Sequence, residues 1–226
     1  MALFIISAPS GSGKSTLVGE LFKLVPGLTF SISYTTRAPR GSEENGREYF
    51  FVSRERFLAM EAEGAFLEHA EVFGNFYGTA WSFLEAAEKQ GQDLVLDIDV
   101  QGAVQVKQRL PSAVSIFIAP PDRETLEWRL QHRGLDAPEV IATRLRDASR
   151  EIAAYNRYDY VVINDKLAQS VEQLCGIVSC EKGRRAGLPD AESCELAATC
   201  RQAAAGERLA PVLASFGLEV RAGKRN

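Results

Sequence analysis

Residues 8 to 15 read "APSGSGKS", between the apolar run "LFII" and a helical stretch that opens at Lys14. With Ala8 in place of the first glycine, this is the pattern G-x-x-x-x-G-K-[ST] of phosphate-binding loops, which follows a strand and opens a helix. Gly11 and Gly13 let successive backbone N–H groups turn toward one anion at the positive end of that helix. Lys14 supplies a mobile cation for the outer phosphates of a nucleoside triphosphate, and Ser15 a hydroxyl for Mg2+. Ser10, Ser12 and Thr16 complete the phosphate-binding set. Asp97, which ends the strand-like "LVLD", stands where a second carboxylate near the metal would fall, acting through water. A strand-end carboxylate of this kind serves equally well as a cap.

These groups need a frame, and the chain alternates strand and helix patterns. "LFIISA", "LTFSIS", "YFFV", "DLVLDID", "AVSIFIA" and "YVVIN" read as strands, and "AFLEHAEVFGNFYGTA" as extended pieces with turns. A helix from Lys14 to about Leu24 places Leu17, Leu21 and Leu24 on one face and ends at Pro26-Gly27. Ser53 caps a short helix running to Gly64, "WSFLEAAEKQ" stops at Gly91, and "AVQVKQRL" is stopped by Pro111. From Pro121 to about Arg157 the pattern is helical with a break near Gly134 to Pro138, and "LAQSVEQLCGIVSCEK" is a final helix. The rhythm predicts an α/β fold, a parallel sheet covered by helices on both faces. The polar region from Thr35 to Gln90 interrupts it as an inserted lobe. After Lys182 the chain turns rich in Ala, Gly and Arg and reads as a peripheral appendage, forming two short helices on the sheet's edge, a dimer contact or a partly disordered tail.

Composition bounds the function. The 226 residues suit one domain with appendages, or one and a small second unit, and 46% hydrophobic with 25% charged residues is ordinary for a soluble protein. A net charge of −4 argues against general nucleic-acid affinity, so an anion site must come from local clustering of Arg and Lys. No apolar stretch reaches the roughly 18 residues of a membrane span, and the opening "MALFIISAPS" has no basic lead-in, so neither a membrane nor a signal peptide is expected. Cys175, Cys180, Cys194 and Cys200 lack the spacing of a zinc site and are expected to be free cytosolic thiols.

Collectively "APSGSGKST", "SISYTTRAPR", "GREYFFV", "FLEHAEVFGNFYGTA", "LDIDVQGA", "SIFIAPP", "RLQHRG" and "VIND" resemble, in this order, the guanylate kinases of bacterial type, over roughly residues 3 to 182. The resemblance implies a P-loop parallel sheet flanked by helices, with an inserted GMP-binding lobe and a helical lid. In those terms residues 1–183 form the kinase-like domain, with core about 1–34 and 93–183, lobe about 35–92 and lid about 122–157. Residues 184–226 form the appendage. It further implies transfer of a phosphoryl group from ATP to GMP with Mg2+, in the cytoplasm, as a step of purine nucleotide metabolism; the oligomeric state, monomer or homodimer, stays open.

Carried over, the acceptor phosphate would be held by Arg37, Arg40, Tyr49 and Tyr77, planar cationic donors with two phenol hydroxyls beside them. Guanine would be read by Ser33, Glu68, Thr79 and Asp99. A carboxylate can accept from N1–H and N2–H2 side by side, the hydroxyls can donate to O6, and Asp99 can accept from the exocyclic amine. Adenine lacks both donors and would leave Glu68 unpaired. Arg129, Arg133 and Arg144 match the family's lid arginines; the first two stand four apart on one helix face. Asn164 and Asp165 fall where the family places the ATP adenine. A phosphate acceptor is already ionised near neutral pH, so no general base is required, and catalysis rests on positioning and charge neutralisation by Lys14, Arg37 and the lid arginines. Lid and lobe closure would exclude water. Two other readings stay open: a ribose 1,5-bisphosphate kinase of the same fold, and a non-catalytic guanylate-kinase-like binding module.

Overall fold

In the computed structural model, residues 1–72, 74–132 and 137–219 are described. The buried run β1 (Leu3–Ser7) passes through the glycine turn into α1 (Lys14–Leu24). Three short strands follow, β2 (Leu28–Phe30), β3 (Tyr34–Thr35) and β4 (Phe50–Phe51), and then α2 (Arg54–Ala62). Ser53 caps α2 as expected, its side chain accepting from the Arg56 N–H. The extended pieces form a hairpin, β5 (Phe66–Val72) and β6 (Asn75–Ala80), followed by α3 (Trp81–Gln90), which Gly91 ends in the left-handed conformation at φ 65°. Next come β7 (Asp93–Asp97), α4 (Val100–Arg109) and β8 (Val114–Ala119). The long helical pattern resolves into α5 (Arg123–His132) and α6 (Pro138–Ile152), with Pro138 at the start where a missing N–H is harmless. β9 (Tyr160–Ile163), α7 (Leu167–Ala186), α8 (Ala191–Thr199) and α9 (Gly206–Ser215) follow.

A five-stranded sheet has the order β2-β7-β1-β8-β9, with β2–β7 and β8–β9 parallel, the arrangement expected from the alternating patterns. A second sheet, order β4-β3-β6-β5, carries the antiparallel hairpin. The chain divides into two compact units, residues 1–5 with 27–113 and residues 6–26 with 114–226.

In the first unit Phe57, Met60, Phe66 and Ala80 form an apolar centre with Tyr34, Phe76 and Phe83 against it. Phe57 stacks on Phe66 at 4.5 Å and on Phe76 at 5.4 Å between ring centres. In the second unit α1 buries Leu17, Val18 and Leu21, whereas Leu24 is 60% exposed. The apolar face anticipated to end at Leu24 instead passes to buried Val25, where the chain turns extended.

The C-terminal region is built into this second unit. α7 runs on to Ala186, and α8 lies so close to it that a Cβ on Gly176 would meet the Leu196 side chain at 2.8 Å. Ala197, Cys200, Leu209, Val212 and Leu213 are buried. Beyond α8 the backbone bonds to the outer strand: Val161 N–H donates to the Cys200 carbonyl at 2.8 Å and Gln202 N–H to that of Asp159 at 3.0 Å. Arg201 lies over the Tyr160 ring at 4.4 Å and pairs with Glu181 at 3.2 Å, while the Tyr160 hydroxyl also donates to Glu181.

One expectation is corrected. Cys180 and Cys194 form a disulfide between α7 and α8, leaving Cys175 and Cys200 as free thiols. The turn at Gly187 brings two residues 14 apart in sequence to a Cα separation of 4.8 Å, an adjacency that spacing alone does not reveal. A closed loop of this size stabilises by about 3 kcal/mol. Cys194→Ala should therefore lower the unfolding free energy in urea by up to about that amount, and dithiothreitol should lower the parent protein alone.

Candidate active site

Each unit carries one group of the expected residues. In the second, Ser12 N–H donates to the Pro9 carbonyl at 3.1 Å, closing a turn in which Gly11 (φ 94°) and Gly13 (φ 86°) take conformations that other residues resist. Gly13 opens α1 without any side-chain cap, so the first N–H groups of the helix are left for an anion. Lys14 is half-buried, with Ser15 and Thr16 exposed on the same turn.

Asn164, expected at the adenine, braces this loop. Its amide donates to the Ser12 carbonyl at 2.7 Å, and the side chain is so close that a Cβ on Gly13 would collide with it. Residue 164 is 5% exposed, and its own N–H donates to the Ala119 carbonyl at 2.8 Å, which ties the loop to the end of β8. Arg129 Nη2 donates to the Asn164 carbonyl at 3.1 Å, while Arg129 Nη1 and the Ser12 hydroxyl are buried without a partner. Arg144 reaches Ser10 Oγ at 3.3 Å. Thus Ser10, Gly11, Ser12, Gly13, Lys14, Ser15 and Thr16 share one neighbourhood with Arg129, Arg144 and Asn164; Asp165 beside it is exposed. Arg133 lies outside the described residues.

In the first unit the basic loop and two tyrosines converge. Arg37 lies 5.3 Å from the Tyr49 ring and 5.8 Å from that of Phe51. Tyr49 and Tyr77 meet edge to face at 5.8 Å. Burial and then the Asp97 charge push the Tyr49 hydroxyl up to about 12, so it remains a proton donor at any working pH. Glu43 was not anticipated: Arg37 Nη2 donates to both of its carboxylate oxygens, at 3.0 and 2.9 Å, and Arg40 N–H to one of them at 2.8 Å. An acid six residues after an arginine in a polar loop was the only available signal. The Arg40 side chain is exposed.

Deeper in this unit, Glu68 is 3% exposed and Ser33 and Thr79 are buried. The Thr79 hydroxyl lies beside Glu68 without a well-aligned hydrogen bond. Asp97, at the end of β7, is half-buried. Asp99 caps α4, accepting the Gly102 N–H at 2.8 Å. Burial foremost, and then the Asp99 charge, raise the Glu68 carboxyl from near 4.5 to about 7. The folded protein therefore holds a proton on Glu68 that the unfolded chain has released, and stability falls as pH rises across that interval. The shift from 4.5 to about 7 is equivalent to about 3 kcal/mol. Glu68→Gln should stabilise the fold by up to about 3 kcal/mol at pH 8 and leave it unchanged near pH 4, as read by urea unfolding at both values.

The guanylate kinase family model matches residues 1–181. The chain is 57% identical over 221 residues, 95% of each chain, to a guanylate kinase of Koribacter versatilis. It is 50% identical over 182 residues to one of Hahella chejuensis, covering 80% of this chain and 88% of that one. The crystal structure of guanylate kinase from Anaplasma phagocytophilum is 34% identical and superposes with a TM-score of 0.65, over 84% of this chain and 87% of that one. A cradle for phosphates, a separate arginine–tyrosine cluster and a buried carboxylate thus occur in a chain that belongs to the guanylate kinase family.

Proposed function

We propose that this protein transfers the γ-phosphoryl group of ATP to GMP, giving ADP and GDP. The observation that carries the reading is Glu68, a buried carboxyl with the half-unsatisfied Thr79 hydroxyl beside it. Guanine presents two adjacent N–H donors to such a group and an O6 acceptor to hydroxyls such as those of Ser33 and Thr79. Asp99, whose Oδ1 caps α4 and whose Oδ2 accepts from the Gln101 amide at 3.3 Å, accepts the exocyclic amine. Arg37, Arg40, Tyr49 and Tyr77 hold the acceptor phosphate, with Glu43 bonded to Arg37 Nη2.

The acceptor oxygen forms a bond to the γ-phosphorus as the bond to the β,γ-bridging oxygen breaks, and ADP leaves with that electron pair. No proton need be removed from a phosphate already ionised. The donor phosphates lie on the open N–H groups of the loop and on Lys14, and Arg129, Arg133 and Arg144 offset the charge that spreads over the transferred group. The unpartnered Arg129 Nη1 is one such donor held in readiness. Asn164 and Asp165 flank the loop on the adenine side. Mg2+ takes oxygen donors, and the exposed Ser15 hydroxyl and the Asp97 carboxylate are of that type. When bound, the ion neutralises charge on the phosphate oxygens.

The reaction belongs to purine nucleotide metabolism in the cytoplasm. Among the described residues no helix is long and apolar enough to cross a membrane. In a coupled assay ADP should form with GMP and not with ribose 1,5-bisphosphate, and AMP should be slower by about 10⁴-fold or more, because it leaves Glu68 unpaired. No turnover of GMP would refute the reading. Lys14→Ala should reduce kcat by roughly 10²–10³-fold, the loss seen when one transition-state donor is removed.

A further inference from the structure

β5 departs from regular strand geometry next to Glu68. It pairs with β6 as Phe66 with Ala80 and then Glu68 with Thr79, so Leu67 is an extra residue in the ladder. Phe66, Leu67 and Glu68 are buried in succession, which simple alternation of faces does not allow. A bulge breaks the alternation and re-aims the side chain that follows it.

β5 is an edge strand of its sheet, and α4 lies along it. Arg109 Nη1 donates to both carbonyls of the bulge, Phe66 at 2.9 Å and Leu67 at 2.5 Å. The Gln105 amide donates to the His69 carbonyl at 2.7 Å and accepts the His69 N–H at 3.3 Å. A Cβ on Gly102 would collide with the Glu68 carboxylate. Residues 102, 105 and 109, spaced three and four apart, form one face of the helix. That face meets the carboxylate, the residue after it and the bulge before it in turn.

We infer that Arg109 and Gln105 are positioning residues for base recognition, holding the Leu67 bulge and His69 against α4 so that the Glu68 carboxylate faces the guanine edge. The inference rests on Glu68 as the base-reading group proposed above. Burial foremost sets the ionisation of Glu68, and the same helix adds to it. Arg109 favours the carboxylate, Asp99 at the start of α4 opposes it, and Thr79 of β6 favours it through hydrogen bonding. His69, next along β5, has its ring 3.6 Å from Glu61 of α2. A helix–strand contact that served packing alone would affect both substrates alike; this one acts on the acceptor base.

The test measures KM for GMP and for ATP, kcat, thermal melting and the pH profile of kcat/KM for GMP between pH 6 and 9. Arg109→Met should raise the KM for GMP about tenfold with the KM for ATP and kcat within twofold, and should move the acid limb of the profile to higher pH. Arg109→Lys, which keeps the charge, should return the acid limb toward its parent position. Gln105→Met, which removes the His69 bonds without a charge change, should raise the KM for GMP and leave the limb in place, and it provides the test if Arg109→Met does not fold. An unchanged KM for GMP, or losses in both KM values and kcat that follow the melting temperature, would overturn the inference. Glu68→Gln separates the two claims. If it spares GMP use, the base-reading assignment fails and the positioning role with it. If it abolishes GMP use while Arg109→Met and Gln105→Met are silent, only the positioning role fails.

Discussion

A donor or acceptor meant for a ligand has to be withheld from the rest of the protein, and each buried group kept unpaired costs about 1–3 kcal/mol until the ligand arrives. Each unit holds such groups. In the second unit Gly13 opens α1 without a side-chain cap and Arg129 Nη1 and the Ser12 hydroxyl have no partner; in the first, the Thr79 hydroxyl has none beside the buried Glu68. Each is held open by something behind it. Asn164 carries the Ser12 carbonyl so that the loop's N–H groups remain turned outward, and Arg129 is fixed by one nitrogen so that the other stays free. Glu43 on Arg37 Nη2 and the Ala38 carbonyl on Nη1 fix a guanidinium that would otherwise sample many positions over the tyrosine rings. The well-satisfied residues behind the site define where its unsatisfied ones point.

This division also explains what could be read from the sequence. The phosphate loop was legible because its signal is local: two glycines, a lysine and a hydroxyl between a strand and a helix. The α/β order and most helix ends were legible for the same reason, through Ser53, Gly91 and Pro138. The bracing residues were not. Asn164 sits 152 positions from the carbonyl it holds, and Arg109 more than 40 from the bulge it binds. Glu68 itself reads as an exposed strand position in "FLEHAEV"; only the extra residue at Leu67 turns it inward, and a bulge has no composition signal of its own. The cysteines were misread because the turn at Gly187 is tertiary information.

The region after α7 shows how an edge is closed. β9 is last in the five-stranded order, and an unpaired edge invites another chain to add to it. Cys200 and Gln202 occupy its backbone groups, with Arg201 stacked on Tyr160 and paired to Glu181. Burial of Leu209, Val212 and Leu213 then anchors the segment, and the Cys180–Cys194 bond ties α8 to the helix beneath it. The same hydrogen-bonding constraint that leaves the site open requires the edge to be filled.

The placement of Glu68 follows from weighing these costs against selectivity. A carboxyl raised to about 7 is half-ionised at neutral pH, so presenting the charged form to GMP costs only about 0.4 kcal/mol. The protonated form is the hazard, because an O–H beside the base pocket can donate to the ring nitrogen that adenine offers as an acceptor where guanine carries N1–H. Discrimination therefore depends on how strongly the surroundings favour the carboxylate once a base is present. Burial and Asp99 work against it, whereas Thr79 and Arg109 work for it. An arginine that also holds the bulge joins the geometry of base reading to its charge state. A neutral residue binding the same two carbonyls would fix the direction of Glu68 and leave its proton in place.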